Sequence, residues 1–388
     1  MLWQPSLPDR YLDATEDELG RMIEARRNEL GSRLLILGHH YQQDSVFRHA
    51  DIVGDSLKLS QLAATEAPKR GAKCIVFCGV HFMAETADIL TADDVAVVLP
   101  DLSAGCSMAD MAAYEDTVDA WNAIHSAIQG TKQRVIPITY VNSTAAIKAF
   151  VGAHDGACCT SSNAAKVFEW ASAGGEVKRA RGELIKILFL PDQHLGRNTA
   201  KAQGIALEDT ALWNPKLPNG GLSDAQIRDA KVLLWAGHCS VHKLFRPEHV
   251  VQAHHEGRTV LVHPECTHDV VDRADLVGST EFIIDAIANA APGSSWSVGT
   301  EIHLVNRIAR RALEHDVHVR ILSDCQCLCT TMYRVDQAHL AWCLDHIAAG
   351  NVVNRITVHP EAKRLAKLAL ERMLKLTPAK RGSLAAID

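Results

Sequence analysis

Three observations predict an α/β fold built from three similar units with mostly parallel sheets. Short apolar strands alternate with helical segments, that plan recurs in tandem, and each recurrence ends on a cysteine. The cysteine-bearing stretches are residues 100–111 (PDLSAGCSMADM, Cys106), 232–242 (VLLWAGHCSVH, Cys239) and 317–332 (VHVRILSDCQCLCTTM, with Cys325, Cys327 and Cys329). In each, an apolar run leads to the cysteine and a helical pattern follows. Amides and the positive end of a helix there favour a thiolate over a thiol. Parallel α/β sheets carry ligand groups at the carboxyl ends of their strands, so three units facing one another bring their cysteines to one centre.

The elements follow in order. Residues 1–13 read as an irregular lead-in. Residues 15–30 read as a helix with Thr15 as N-cap, Glu18 completing a capping box, and Gly31 as its stop. Strands are expected at 34–37 (running into GHHYQ), within 50–56 (ADIVGDS, entering a helix), at 74–78 (running into GVHFMAET) and at 95–99. The second copy opens with a helical stretch at 108–130. It continues with a strand at 135–138 before TYVNST, the segment 154–163 in the place of ADIVGDS, and a strand at 185–190 ending PDQHLG. A Pro/Gly/Asn-rich loop at 213–222 and a strand at 232–235 complete it. The third copy has a helix at 246–255 with Pro247 in its first turn and a strand at 259–262 ending HPEC. ADLVGST follows at 274–280, then the His-bearing segment 296–305 and a strand at 317–322. The second copy is longer around 201–222, which reads as a surface insertion or an added contact. Helical stretches at 332–349 and 361–376, with Gly350 between them, form a tail that packs on the rest. The expected domains are 1–105, 106–238 and 239–329, with the tail at 330–388.

The composition is that of a globular protein: 47% hydrophobic and 22% charged over 388 residues. Forty Lys and Arg against 46 Asp and Glu give a net charge of −6 without any basic run, which argues against a nucleic-acid partner. No apolar run approaches the ~20 residues of a membrane span. The N-terminal segment lacks the basic and apolar regions of a secretory signal, so a cytoplasmic location is expected. Eleven cysteines are an odd number that cannot all pair, in a chain too long to need disulfide staples. Cys74, Cys78, Cys158, Cys159 and Cys343 lie in or beside apolar segments and read as small buried hydrophobes.

Three strand-end thiolates suit either zinc or iron and sulfide. Zinc sites usually use C-x-x-C pairs, and none occurs here. A [4Fe–4S] cluster on three cysteines leaves one iron open as a Lewis acid. His39, His40 and Tyr41 follow the first strand of copy one, Tyr140 and Asn142 that of copy two, and His263 and Glu265 that of copy three; these are proton donors and acceptors rather than packing residues. Ser56, Ser161, Ser279 and Thr280 each stand where a short strand enters a helix. Plain capping accounts for any one of them. Three helix N-termini on one centre make a cradle for carboxylate or phosphate. His49, His154, His255, His315 and His346 follow no pattern and read as surface residues.

Twelve segments in collinear order over about residues 30–335 carry a resemblance. They are HHYQ (39–42), GDS (54–56), GVHFMAETA (79–87), PDLSAGCSMADM (100–111), YVNSTAAIKA (140–149), CTSSNA (159–164), PDQHLG (191–196), GHCSVH (237–242), HPEC (263–266), GST (278–280), VGTEIHLVNR (298–307) and CTTM (329–332). On these the chain resembles the quinolinate synthases, iron–sulfur enzymes of de novo NAD biosynthesis. The resemblance implies three three-layer αβα domains with short parallel sheets, related by a pseudo-threefold axis, with the active site at their central junction. It implies one [4Fe–4S] cluster on Cys106, Cys239 and Cys329, its open iron facing a closed cavity. The implied reaction condenses iminoaspartate with dihydroxyacetone phosphate to quinolinate, losing phosphate and two waters. Functional coupling to an L-aspartate oxidase, as the source of iminoaspartate, follows from that substrate. By position, His39, Tyr41, Tyr140, Asn142, His263 and Glu265 match substrate and acid–base residues, with Glu265, His263, Tyr41 and His39 as the catalytic set. Ser56, Ser161 and Thr280 match hydroxyls that hold substrate anions. The last cysteines depart from the family's frequent C-x-x-C-x-x-C. Cys329 is preferred because it carries the C-x-x-M match and precedes a helical segment; Cys325 and Cys327 then read as bystanders near the cavity mouth. A zinc hydrolase and a non-catalytic iron–sulfur sensor are the rival readings.

Overall fold

Apolar runs buried on both faces make the central strands, as a parallel sheet covered by helices on each side requires. The computed structural model describes residues 4–324 and 327–377. In the first sheet, β1 (Leu34–His39), β2 (Ile52–Gly54), β3 (Cys74–Cys78) and β4 (Ala96–Val98) lie parallel in the order β2-β1-β3-β4. The second contains β5 (Gln133–Tyr140), β6 (Ala157–Cys159), β7 (Leu184–Leu190), β8 (Thr210–Trp213) and β9 (Val232–Trp235), parallel in the order β6-β5-β7-β9-β8. The third contains β10 (Thr259–Val262), β11 (Leu276–Val277), β12 (Ser295–Gly299) and β13 (His318–Ile321), parallel in the order β11-β10-β12-β13. One strand order thus occurs three times, with β8 added at an edge of the second sheet. A fourteenth strand, β14 (Arg355–Ile356), returns from the tail and pairs antiparallel with β4.

Side-chain alternation puts core on both faces of each sheet. In the third, Val260 and Val262 join one apolar cluster and Leu261 the other. Helices cover these faces, giving the three αβα layers. The N-terminal helix Glu16–Leu30 starts at the expected capping box: the Thr15 hydroxyl accepts from the Glu18 amide, and the Glu18 carboxylate accepts from the Thr15 amide. Substituting such a cap costs ~1 kcal/mol.

The structure corrects several expectations. The lead-in contains a short helix, Asp9–Leu12. The helical stretch 108–130 divides into Ser107–Asp110 and Tyr114–Ala127. The Met111 carbonyl at the break accepts the Trp235 indole N–H at 2.7 Å instead of continuing a helix. The extra length of the second copy supplies β8, of which only Trp213 is buried. The tail closes an edge of the first sheet through β14. Its helices, Gln337–Ala348 and Pro360–Leu376, lie against Glu16–Leu30 and Ala145–Ala153 respectively. Among the described residues, no helix is long and apolar enough to cross a membrane.

Candidate active site

The carboxyl ends of the three sheets meet at one cavity. All twelve residues expected at the centre line it: His39, Tyr41, Ser56, Cys106, Tyr140, Asn142, Ser161, Cys239, His263, Glu265, Thr280 and Cys329. His40 does not; its Nε2 turns to Glu281 at 3.1 Å.

Units one and three build their strand ends alike. The Nδ1 of His39 accepts the Tyr41 amide at 3.1 Å, and the Nδ1 of His263 accepts the Glu265 amide at 3.3 Å. Each neutral ring therefore carries its proton on Nε2. Burial, with the His40 and Arg307 charges beside His39 and the His242 charge beside His263, pushes both rings down to about 3. They are neutral donors at physiological pH. In the second unit the buried Asn142 Oδ1 has no hydrogen-bond partner among the described residues. Such an atom is costly unless something else binds it.

Glu265 joins two units. Its Oε1 accepts the Tyr140 hydroxyl at 2.6 Å, and its Oε2 lies 2.9 Å from His242 Nδ1. Burial pushes the carboxyl up, but the neighbouring His242 and His263 rings and the hydrogen bonds from His242 and Tyr140 outweigh it and hold the group down at about 2. The network continues from His242 Nε2 to the Thr300 hydroxyl at 3.1 Å, and from there to Tyr41 at 2.9 Å. Tyr41 also meets Thr280 at 3.2 Å. Burial and the Glu265 charge raise both phenols well above their ordinary value, so both are proton donors. His242, which stacks on His263 with centroids 4.4 Å apart, and Thr300 were not anticipated. The signal for His242 was its place three residues after Cys239; Thr300 carried none beyond its neighbourhood of the segment's histidine.

Of the four hydroxyls, Ser279 is an ordinary cap and Ser56, Ser161 and Thr280 are not. Asp55 caps the helix Ser56–Arg70 through the Lys58 amide, and Ser279 caps Thr280–Ala288 through the Phe282 amide. Ser56 and Thr280 are the first residues inside those helices. Ser161 precedes the N-cap Asn163 of Ala164–Ser172. Three helix N-termini thus face the cavity, and among the described residues no Lys or Arg lines it. Anions there meet amides, hydroxyls and neutral imidazoles, beside the carboxyl groups of Asp55 and Glu265.

Each of the three cysteines comes from a different sheet and lies within electrostatic reach of another. Burial dominates their chemistry. It pushes Cys106 up to about 12 although the Ala109 and Met108 amides pull it back, and it raises Cys239 and Cys329 as well. The expected thiolates are therefore thiols until a cation supplies the compensating charge. The expected helix ends are also weaker than their pattern: Cys106 precedes a single turn, and 3-10 turns at His242–Leu244 and Met332–Arg334 follow Cys239 and Cys329. The donor set nevertheless fits a cluster held by three thiolates, with apolar neighbours such as Met108 and Met332 around it. Cys239, His242 and Glu265 also offer ligand atoms within 4.8 Å of one another. Both His242 nitrogens, however, are already engaged by Glu265 and Thr300.

Cys327 is not at the mouth. It is fully buried in the third unit's core, with its sulfur 3.3 Å from the Ser323 hydroxyl. Cys325 lies outside the described residues. Of the histidines expected at the surface, His255 and His315 are exposed, His154 and His346 are half-buried, and His49 is buried between Glu24 and Gln337.

The profile of the family described as "Quinolinate synthetase A protein" matches residues 21–375. The chain belongs to that family. It is 51% identical to the quinolinate synthase of Acidobacterium capsulatum over 95% of each chain. Identity is 50% with the Streptomyces coelicolor quinolinate synthase, over 93% of this chain and 89% of the relative. It is 52% with the one from Nocardioides sp., over 94% and 90%. The matched residues contain all three sheets and every cavity residue named above.

Proposed function

We propose that this chain is a quinolinate synthase that condenses iminoaspartate with dihydroxyacetone phosphate, releasing phosphate and two waters. The observation that carries the reading is the convergence of three cysteines, two neutral histidines and Glu265 from three sheets on one cavity. Cys106, Cys239 and Cys329 are assigned as the ligands of one [4Fe–4S] cluster. When bound, its open iron supplies a Lewis acid for a substrate oxygen. The other roles belong to side chains. Ser56, Ser161 and Thr280, with the helix ends behind them, bind carboxylate and phosphate. Asn142 Oδ1 accepts a substrate donor. His39 and His263 donate from Nε2. The pair Tyr140–Glu265 and the path Glu265–His242–Thr300–Tyr41 hold and move protons across the cavity. The domain boundaries 1–105, 106–238 and 239–329, the tail from 330, a cytoplasmic location and supply of the imine by an L-aspartate oxidase belong to the same proposal.

The test is anaerobic purification, iron and sulfide analysis, a visible spectrum and assay with both substrates. The expected result is brown protein with about four irons per chain and quinolinate as product. Colourless protein with stoichiometric zinc would favour a hydrolase. A cluster without quinolinate formation would favour a sensor.

A further inference from the structure

The internal repeat aligns three histidines, His81, His194 and His303, near the starts of the helices His81–Leu90, Gln193–Ala202 and Ile302–Leu313. Four residues after each stand Glu85, Asn198 and Arg307. None of these three lines the cavity. Each reaches into the next unit. Asn198 Nδ2 donates to the carbonyls of Pro264 and Cys266, both at 2.9 Å, and so holds the backbone on either side of Glu265. Arg307 donates to the carbonyls of Gln42, at 2.8 Å, and His40, and so holds the backbone on either side of Tyr41. Glu85 Oε2 accepts the Ala145 amide at 2.9 Å, at the end of the loop that follows Tyr140 and carries Asn142. In that loop the Ser143 carbonyl is held by the buried Lys148 ammonium. The bonds run from unit one to two, two to three, and three to one.

We propose that Glu85, Asn198 and Arg307 are positioning residues, a closed ring of straps by which each unit sets the site loop of the next. Carbonyls just past a strand end have lost their ladder partners and need new ones. Two bonds that clamp the peptides around one residue fix its φ and ψ, and with them the direction of its side chain. Glu265 and Tyr41 are the residues so clamped. A displacement of about 1 Å at such a group can cost ~10²-fold in rate. Arg307 adds charge-assisted strength, with Asp44 at 2.7 Å holding its guanidinium in place. The inference rests on the proposed roles of Glu265 and Tyr41. Its alternative is that these are ordinary bonds between units, which hold the molecule together and nothing more.

The experiment uses the full-length holoenzyme. Asn198→Leu and Arg307→Met are each expected to keep the iron content and visible spectrum, lower kcat ~10–100-fold, and leave KM within about threefold, the kcat–KM split of a displaced group. Hydrogen exchange of the metal-free proteins should quicken at residues 263–267 in the first variant and 39–43 in the second, and not around Cys106, Cys239 or Cys329. Asn198→Gln and Arg307→Lys, which keep N–H donors at an altered reach, should give intermediate kcat, and they decide the matter if the larger changes prevent folding. Lys201→Met is the control: it cuts the ion pair from the same helix to Asp272 of the third unit without touching the loop, and should leave kcat unchanged. Wild-type kcat in the Asn198 and Arg307 variants, or an equal loss in Lys201→Met, overturns the proposal. Absence of iron and of quinolinate in the wild type would instead sink the proposed function, while the exchange comparison would still judge the straps.

Discussion

Glu265 is bonded on both oxygens, by Tyr140 and by His242. Its charge therefore does two jobs: it keeps Tyr140 a donor and it orients His242. Glu265→Gln retains the shape and removes the charge. It should keep its iron and lose ~10²–10⁴-fold in kcat; near-normal turnover would reduce Glu265 to a structural ion pair. His39 and His263 give a second prediction. Both are held at about 3 in the fold against an ordinary 6.5. Between those values the unfolded chain binds more protons at these rings than the folded one. Stability therefore rises with pH across that window and is lost as pH falls through it. Between pH 6.5 and 5 each ring accounts for roughly 2 kcal/mol. Urea unfolding of metal-free protein at pH 7 and pH 5 measures it, and His39→Gln should flatten the dependence. An equal pH dependence in that variant would assign the acid lability elsewhere.

Among elements, the segment after β13 decides which sulfur serves the third unit. In an extended strand Cys325, Cys327 and Cys329 would share one face. The strand ends at Ile321, however, and the Cys327 carbonyl accepts the Ile302 amide while its sulfur enters the core. Cys329 alone of the two described cysteines lines the cavity. Cys329→Ser is therefore expected to lose the cluster, and Cys327→Ser to stay brown with some loss of stability. Iron content and visible spectra of anaerobically purified variants check this; a brown Cys329→Ser beside a colourless Cys327→Ser would reverse the assignment. The same segment shows what was legible. Strands such as β3, β9 and β10 announce themselves because burial on both faces requires unbroken apolar runs. β8 and β14 do not, since an edge strand with one buried residue carries no periodic pattern. The cavity residues were readable because strand ends in a parallel sheet point to a ligand. Asn198 and Arg307 were not, because their partners lie in other units and no local spacing records a contact across an interface; His242 was not, because its partners Glu265 and Thr300 stand 23 and 58 residues away in the chain.

At the scale of the whole molecule, the tail binds two units together. β14 extends the first sheet on β4, helix Gln337–Ala348 lies on Glu16–Leu30, and helix Pro360–Leu376 lies on Ala145–Ala153 of the second unit. The tightest approach in that last crossing is at Gly152, where an added Cβ would stand 2.0 Å from the Leu365 carbonyl oxygen. The obstacle is backbone, so it cannot swing aside as a side chain can. Gly152→Ala must push the two helices apart, at a cost of ~1–3 kcal/mol. Arg372 suffers with it, since its guanidinium reaches the carbonyls of Gly156, at 2.7 Å, and Gly152 from the same helix. The cavity lies away from this crossing, as neither helix contributes a residue to its lining. Thermal unfolding of Gly152→Ala should therefore move down by several degrees, while iron content and kcat at low temperature stay those of the wild type. An unchanged melting temperature would mean the crossing is looser than its geometry. A lost cluster at low temperature would mean that the tail sets the site as well as the stability.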